Sequence, residues 1–280
     1  MKRNVLNSPR LSELKKHRRS VVLDKILILF LGILAIFISL VCLSRLKSLN
    51  ISDIEISGNK VVDTEAIKNV IEQQMAGKYL GLFPKTNLLL YPKKNIETEL
   101  ENQFKRLENI NLSIKNNKIL EVSVDERTPE YLWCGAESNL EVEKCYFMDE
   151  NGYIFDQAPY FSGEVYFKFY GLPAQTGSIQ NFKQLISFKD ILISLGLKPI
   201  ALYIANDGDI QIFLSGGSFV TAPKIILRAN ADFENAAENL QTALTTEPLQ
   251  SEFKNKYASL QYIDLRFGNK VYYKFSTPTK

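Results

Sequence analysis

Histidine is almost absent from this 280-residue chain: the single one, His17, lies in the N-terminal tail. Beyond the tail no Ser-His-Asp or Cys-His nucleophile system can be assembled, and zinc ligation through imidazole is excluded there as well. The chain also lacks any G-x-x-x-x-G-K-[ST] or G-x-G-x-x-G stretch, so no phosphate-cradling loop is encoded. Asp and Glu are scattered, with no spacing that singles out a pair for hydrolysis. These absences point away from an enzyme and from any cofactor, metal or small-molecule substrate.

An overall basic excess is missing too. The formal net charge is +3, yet Lys2, Arg3, Arg10, Lys15, Lys16, Arg18, Arg19 and Lys25 stand against only Glu13 and Asp24 in the first 25 residues. The rest is therefore near neutral or slightly acidic, which gives no motive for nucleic-acid binding. The basic tail suits anionic lipid headgroups and membrane topology instead.

What the chain does have is an apolar run, Ile26 to Leu43, interrupted only by Gly32 and Ser39. As a helix it spans roughly 27 Å, the order of a bilayer's hydrocarbon core. A soluble helix apolar on every face needs a large protein around it, and a cleaved signal peptide has a shorter run followed by small residues rather than Ser44-Arg45-Leu46-Lys47. The sequence therefore predicts a transmembrane signal anchor over 25–45. The lysines and arginines before it place the short tail, 1–24, in the cytoplasm, either unstructured or at most a frayed membrane-surface helix. The remainder is expected to be exported, and so short a tail argues against a sensor with a cytoplasmic signalling domain.

The exported residues suffice for two modest domains. Ile54 and Ile56 alternate ahead of a Ser57-Gly58-Asn59-Lys60 turn, so a strand is expected there. Asp63 or Thr64 caps a helix carrying Ile67, Val70, Ile71 and Met75, and Gly77 ends it. A loop carries Tyr79 to Leu90. Asn95 is placed to cap a second helix with Ile96, Leu100 and Phe104 on one face. Strands at Ile110–Ile114 and Ile119–Val124 flank Asn116-Asn117, a pair that tolerates the positive φ of a tight hairpin. The result is a small α+β domain, β-α-α-β-β, over 49–128, closed by Pro129.

The second domain, 129–276, reads as β-rich with helices packed on a mainly antiparallel sheet, followed by a tail at 277–280. Tyr146 to Phe155 forms two strands around an Asn151-Gly152 turn. A strand follows at Val165–Tyr170, then a helix with Phe182, Leu185, Ile186, Leu192 and Ile193 inward. Ala201–Ala205 and Ile210–Leu214 are short strands, and Phe219–Leu227 has no clear assignment. A helix near Asp232 carries Phe233, Ala236, Ala237, Leu240 and Leu244 in one stripe. The last two strands are Tyr262–Phe267 and Lys270–Phe275. In the latter, Val271, Tyr273 and Phe275 share one face and Lys270, Tyr272 and Lys274 the other. A terminal strand with little beyond it presents unpaired N–H and C=O groups to a partner segment, although lysines on an edge also serve to prevent aggregation.

Cys134 and Cys145 flank a short loop on the exported side and form a candidate disulfide closing twelve residues. In the loop-entropy model such a bridge contributes about 3 kcal/mol; two ordinary buried thiols are the alternative. Glu126 and Arg127 could pair as a switch between domains or simply end a strand. Asp264 and Arg266 share a strand face, suited equally to anchoring a loop or to binding. The aromatic stretch Tyr146 to Tyr170 reads as core in preference to a glycan-binding platform.

Taken together, the basic tail, the single anchor, the Ile-x-Ile-x-Gly-Asn strand end and the Val122-x-Val124-x-Glu126-Arg127-x-Pro129 exit resemble the FtsQ/DivIB bacterial cell-division proteins. The Tyr262-Ile263-Asp264-Leu265-Arg266-Phe267 strand extends the resemblance to nearly the whole chain. It implies a POTRA domain followed by a β domain, with no catalytic residues and no cofactor, in a single-pass inner or cytoplasmic membrane protein concentrated at the division septum. It further implies a scaffold that helps recruit and regulate septal peptidoglycan synthesis with other divisome membrane proteins. The implied partners are bitopic coiled-coil proteins of the FtsB/DivIC and FtsL type. By position, Arg266, Phe267 and Gly268 match the family's contact zone and Tyr273 its further aromatic, and Lys270, Val271, Tyr272 and Lys274 complete the strand that would receive the partner. A POTRA-bearing translocation or outer-membrane assembly factor is the alternative from another class. Against it stands the single unit without a series of alternating barrel strands. The segment Leu82-Phe83-Pro84 lengthens the 76–92 loop relative to the family.

Overall fold

A computed structural model describes residues 9–135, 144–171, 181–216 and 221–276. The chain divides into two compact units, 1–126 and 127–280.

The first unit begins with helix α1 (Pro9–Ser44). Its segment Lys16–Ser44 is long and apolar enough to cross a membrane, with a mean hydropathy of 3.2 and no part buried in the protein. It is a candidate N-terminal apolar helix consistent with a single-pass membrane anchor. Of the two readings of the tail, the helical one holds over 9–24, which continue the same helix. Extending an existing helix adds one hydrogen bond per residue fixed without a new nucleation cost, and Pro9 suits a first helical position.

A three-stranded sheet follows, built from β1 (Asp53–Ser57), β4 (Leu107–Lys115) and β5 (Ile119–Glu126) in the order β1-β5-β4. Strand β5 is central, parallel to β1 and antiparallel to β4. Asn116 and Asn117 both adopt positive φ (52° and 56°) in the β4–β5 turn, the conformation that suits the right-handed twist of a hairpin. Two helices, α2 (Thr64–Met75) and α3 (Lys93–Gln103), cover the face bearing Leu112, Leu120, Val122 and Val124. Asp63 caps α2 by accepting from the Ala66 N–H, and Ile67, Val70, Ile71 and Met75 form its buried stripe. Helix α3 starts directly after Pro92, so Asn95 lies inside its first turn and does not cap it.

Between these helices, the expected loop contains a two-stranded hairpin, β2 (Lys78–Tyr79) and β3 (Phe83–Pro84). At the end of β5 the Glu126 carboxylate accepts from the backbone N–H groups of Lys60, Val61 and Val62 at 2.7 to 3.1 Å. Partial burial opposes its ionisation, but these three donors and the charge of Arg106 outweigh that and hold its pKa below the usual range. Glu126 is thus held by backbone groups of its own unit at the end of the strand.

The second unit is one nine-stranded sheet. Its strands are β6 (Tyr131–Trp133), β7 (Tyr146–Met148), β8 (Ile154–Gln157), β9 (Phe167–Gly171), β10 (Pro199–Ile204), β11 (Asp209–Leu214), β12 (Lys224–Arg228), β13 (Leu260–Phe267) and β14 (Lys270–Phe275). They lie in the order β14-β13-β12-β11-β10-β9-β6-β7-β8. Five of its eight pairings are antiparallel; β6–β9, β9–β10 and β12–β13 are parallel. Helix α4 (Phe182–Ser194) lies between the parallel strands β9 and β10, and α5 (Phe233–Leu244) with α6 (Leu249–Lys256) between β12 and β13. A parallel pair cannot be joined by a tight turn, so the helices are the crossovers.

Their core joins Phe169, Leu202, Ile212 and Ile263 of the sheet to Phe188, Leu192 and Leu240 of the helices. Phe188 completes the inward stripe of α4, whereas Ile193 is 52% exposed, a correction to the expected stripe. Asp232 caps α5 through the N–H groups of Glu234 and Asn235. Of the unplaced 219–227 stretch, residues 224–227 lie in β12 and 219–220 fall outside the described residues, and Val165 lies outside β9 and is exposed. On the opposite face, Phe147, Phe155, Phe161 and Tyr166 pack together over Leu132 and Tyr170. Cys134 and Cys145 form a disulfide beside this cluster. Arg127 pairs with Asp149 at 2.5 Å and lies over the Tyr153 ring.

Gly171 ends β9 with φ +106°, and a Cβ there would sit 2.2 Å from the Ile204 carbonyl oxygen. Left-handed backbone and steric clash together make Gly171→Ala destabilising by about 3 kcal/mol. Trp133, the only tryptophan, donates its Nε1–H to the Gly171 carbonyl at 3.0 Å and reports the region directly. Its fluorescence in urea should show a clearly lowered unfolding midpoint for the variant; an unchanged midpoint would contradict this packing.

Candidate functional site

Strand β14 is the last strand at one end of the large sheet, and among the described residues no strand pairs with its outer edge. The other end is β8, shorter and beside the loop that carries the aromatic cluster. Short edge strands resist pairing with foreign chains, whereas a six-residue strand offers more of the ladder. The two ends are therefore not equivalent.

Side chains along β14 alternate as the sequence predicts. Val271, Tyr273 and Phe275 pack against the helix-covered core, while Lys270, Tyr272 and Lys274 are exposed. Tyr272 is 50% exposed and Phe267, at the end of β13, 52%. Their rings meet edge to face with centroids 5.1 Å apart. The pair forms an ordered, partly exposed aromatic surface. Tyr273 by contrast contributes from the core side, with its ring against Phe275.

The two strands are joined by Gly268-Asn269, with Gly268 at φ +63° in the first turn position, as a tight type II′ connection requires. The Gly268 carbonyl accepts from Asn239 Nδ2 on α5 at 3.3 Å, which fastens the turn to the helix layer. A recess of about 260 Å³ opens beside it, lined in part by Arg228, Asp232, Asn235 and Arg266. A second recess of about 460 Å³ lies near Ser276, lined in part by Phe213, Lys224 and Tyr262.

Arg266 is not a free cation. Its Nε and Nη2 donate to the two carboxylate oxygens of Asp264 at 2.9 and 2.6 Å, and its Nη1 donates to Asp209. Asp264 is 5% exposed. Its Oδ1 also accepts from the Arg266 backbone N–H at 3.1 Å. The bonds to Asp264 dominate the shift, and with those to Asp209 they outweigh the partial burial, so the guanidinium pKa rises above its ordinary value. The clasp spans the sheet from β13 to the start of β11, two strands away. Arg266 thus positions the strand to which β14 is bonded, and the cations left for a ligand at this edge are Lys270 and Lys274.

Sequence reasoning assembled β14, the turn and the Asp264–Arg266 pair. It missed Asp209, which directly precedes the expected Ile210–Leu214 strand, and Asn239, an unremarkable helix residue. Among the described residues no group of three or more His, Cys, Asp or Glu is arranged to hold a metal ion. No protein-family model and no curated protein matches the chain.

Replacing Arg266 by Met removes the counter-charge of a largely buried carboxylate. Partial solvent access moderates the cost to about 2–3 kcal/mol. Urea unfolding followed by Trp133 fluorescence should register that loss, and Arg266→Lys should recover only part of it, because an ammonium cannot engage both carboxylates in forked geometry. Wild-type stability in the Met variant would contradict the clasp.

Proposed function

We propose that the chain is a non-enzymatic scaffold of the FtsQ/DivIB kind, anchored by α1 with its N-terminus in the cytoplasm. In this reading it binds bitopic coiled-coil partners of the FtsB/DivIC and FtsL type and serves the placement and timing of septal peptidoglycan synthesis. The observation that carries the reading is the unpaired edge of β14 with its ordered exposed face. A partner strand laid along that edge satisfies backbone groups and gains main-chain hydrogen bonds, while alternate side chains decide which strand fits.

On the outer face such a strand meets Lys270, Tyr272 and Lys274, so acidic residues with an aromatic or aliphatic neighbour suit it. On the inner face it extends the row Val271, Tyr273 and Phe275 and favours apolar residues. The first unit lends support of another kind: its order β1-α2-α3-β4-β5, with the last strand central, is consistent with a POTRA domain into which a small hairpin has been inserted. The FtsQ-like strand Tyr262–Phe267 coincides with β13, the strand that holds the edge in place.

The test is capture of membrane proteins from the source cell by the tagged full chain and by a Tyr272→Asp/Lys274→Glu double variant. Both positions are exposed, so the core face of β14 is untouched. The wild type should retain a small bitopic coiled-coil protein, and the variant should lose about tenfold or more of it, as expected when a central aromatic contact and a complementary charge go together. Equal capture by both would contradict the edge assignment. Recovery of barrel precursors or translocating chains in its place would contradict the scaffold.

A further inference from the structure

The hairpin β2–β3 is unexplained by the binding reading, and its chemistry is unusual. Its tip is Leu80-Gly81, with φ +50° and +72°, closed by the Leu82 N–H donating to the Tyr79 carbonyl at 2.9 Å. That turn favours Asn-Gly; a leucine pays a steric penalty for left-handed backbone. Leu80 is nevertheless 89% exposed and packs on almost nothing. A strained, fully exposed apolar residue at a loop tip serves neither local conformation nor the core.

The position of the hairpin supplies the reason. The end of α1 is fastened to the following loops: the buried Asn87 donates to the Ser44 carbonyl at 3.1 Å, and so does Asn50 at 2.9 Å. The Arg45 guanidinium reaches the Leu82 carbonyl at 3.3 to 3.4 Å. Below these contacts the Phe83 ring meets Phe37 edge to face, with centroids 5.9 Å apart. Phe37 precedes Ser44 by seven residues, which is about 10 Å along the helix axis toward the middle of the apolar run. A side chain that touches Phe37 therefore lies within the layer that the run Ile26 to Leu43 occupies.

We infer that the hairpin Lys78–Pro84 is a membrane wedge that inserts Leu80 and Phe83 into the outer leaflet beside α1. Its ligand is the lipid surface itself. Tyr79 with Lys85, whose Nζ lies 5.8 Å from the tyrosine ring centroid, forms an aromatic and basic collar at headgroup level. Leu89, also 89% exposed, follows closely after Asn87 and adds apolar surface near the level of Ser44. The wedge would fix the height and rotation of the first unit over the bilayer, which a single helix alone leaves free. This inference rests on α1 crossing the membrane and is independent of the partner reading.

The test uses the full chain in lipid vesicles on a Cys42→Ala background, with Cys134 and Cys145 bridged and an environment-sensitive fluorophore on a single introduced free cysteine. Leu80→Cys probes the wedge. Leu34→Cys reports the membrane helix, and Tyr160→Cys marks an exposed site in the second unit. Position 80 should lose most of its emission to lipids brominated near the headgroup end of the acyl chain and little to aqueous iodide, with 160 showing the reverse. Lipid quenching at 34 combined with iodide quenching at 80 would overturn the wedge and leave the anchor standing. Absence of lipid quenching at 34 would overturn the anchor and the wedge with it.

Discussion

On the open face of the large sheet, where β11, β12 and β13 lie side by side, two carboxylates share one guanidinium. Asp264 is nearly buried, and a carboxylate there is tolerated only because Arg266 and its own backbone N–H occupy its oxygens. Arg266 in turn spans to Asp209, so strands that share no ladder hydrogen bond are cross-linked through side chains. Sheet ends tend to fray because they lack support on one side. Here the support comes from charge on one face and from Val271, Tyr273 and Phe275 in the core on the other. Among the described residues no strand covers the outer edge of β14.

The two units handle exposed apolar surface in different ways. In the second, Phe267 and Tyr272 cover part of each other and are flanked by lysines, which disfavour non-specific pairing at the edge. In the first, Leu80 and Leu89 are left bare beside the one helix that is apolar all round. Each arrangement costs something in solubility or local strain that packing alone does not repay, and each is what the two proposals above, a partner strand and a lipid surface, set out to explain.

How much of this is legible in the sequence follows from the range of each interaction. Local rules suffice for the Asn116-Asn117 hairpin, the Asp63 and Asp232 caps, the α5 stripe and the alternation of β14, because each depends on neighbours within a few residues. Helix α4 is read with Ile193 inward and without Phe188, since both are compatible with an apolar stripe and only packing against the sheet distinguishes them. The partners of Glu126 are backbone groups more than sixty residues away, and Asp209 is 57 residues from Arg266, so no periodicity reveals either. The β2–β3 hairpin is hidden because Leu80-Gly81 lacks the polar turn residues by which such turns are recognised. That disguise has the same origin as its proposed role.

The central claim is that β14 presents an unpaired edge held ready for another strand. Amide hydrogen exchange resolved to single residues along Lys270–Phe275, in the full chain without partners, tests it most directly. The amides that face β13 should be protected and those between them should exchange nearly as fast as in an unstructured peptide, giving an alternating pattern. Uniform protection along the strand would mean that the edge is already covered, and uniform fast exchange that it is not formed; either result would contradict the account.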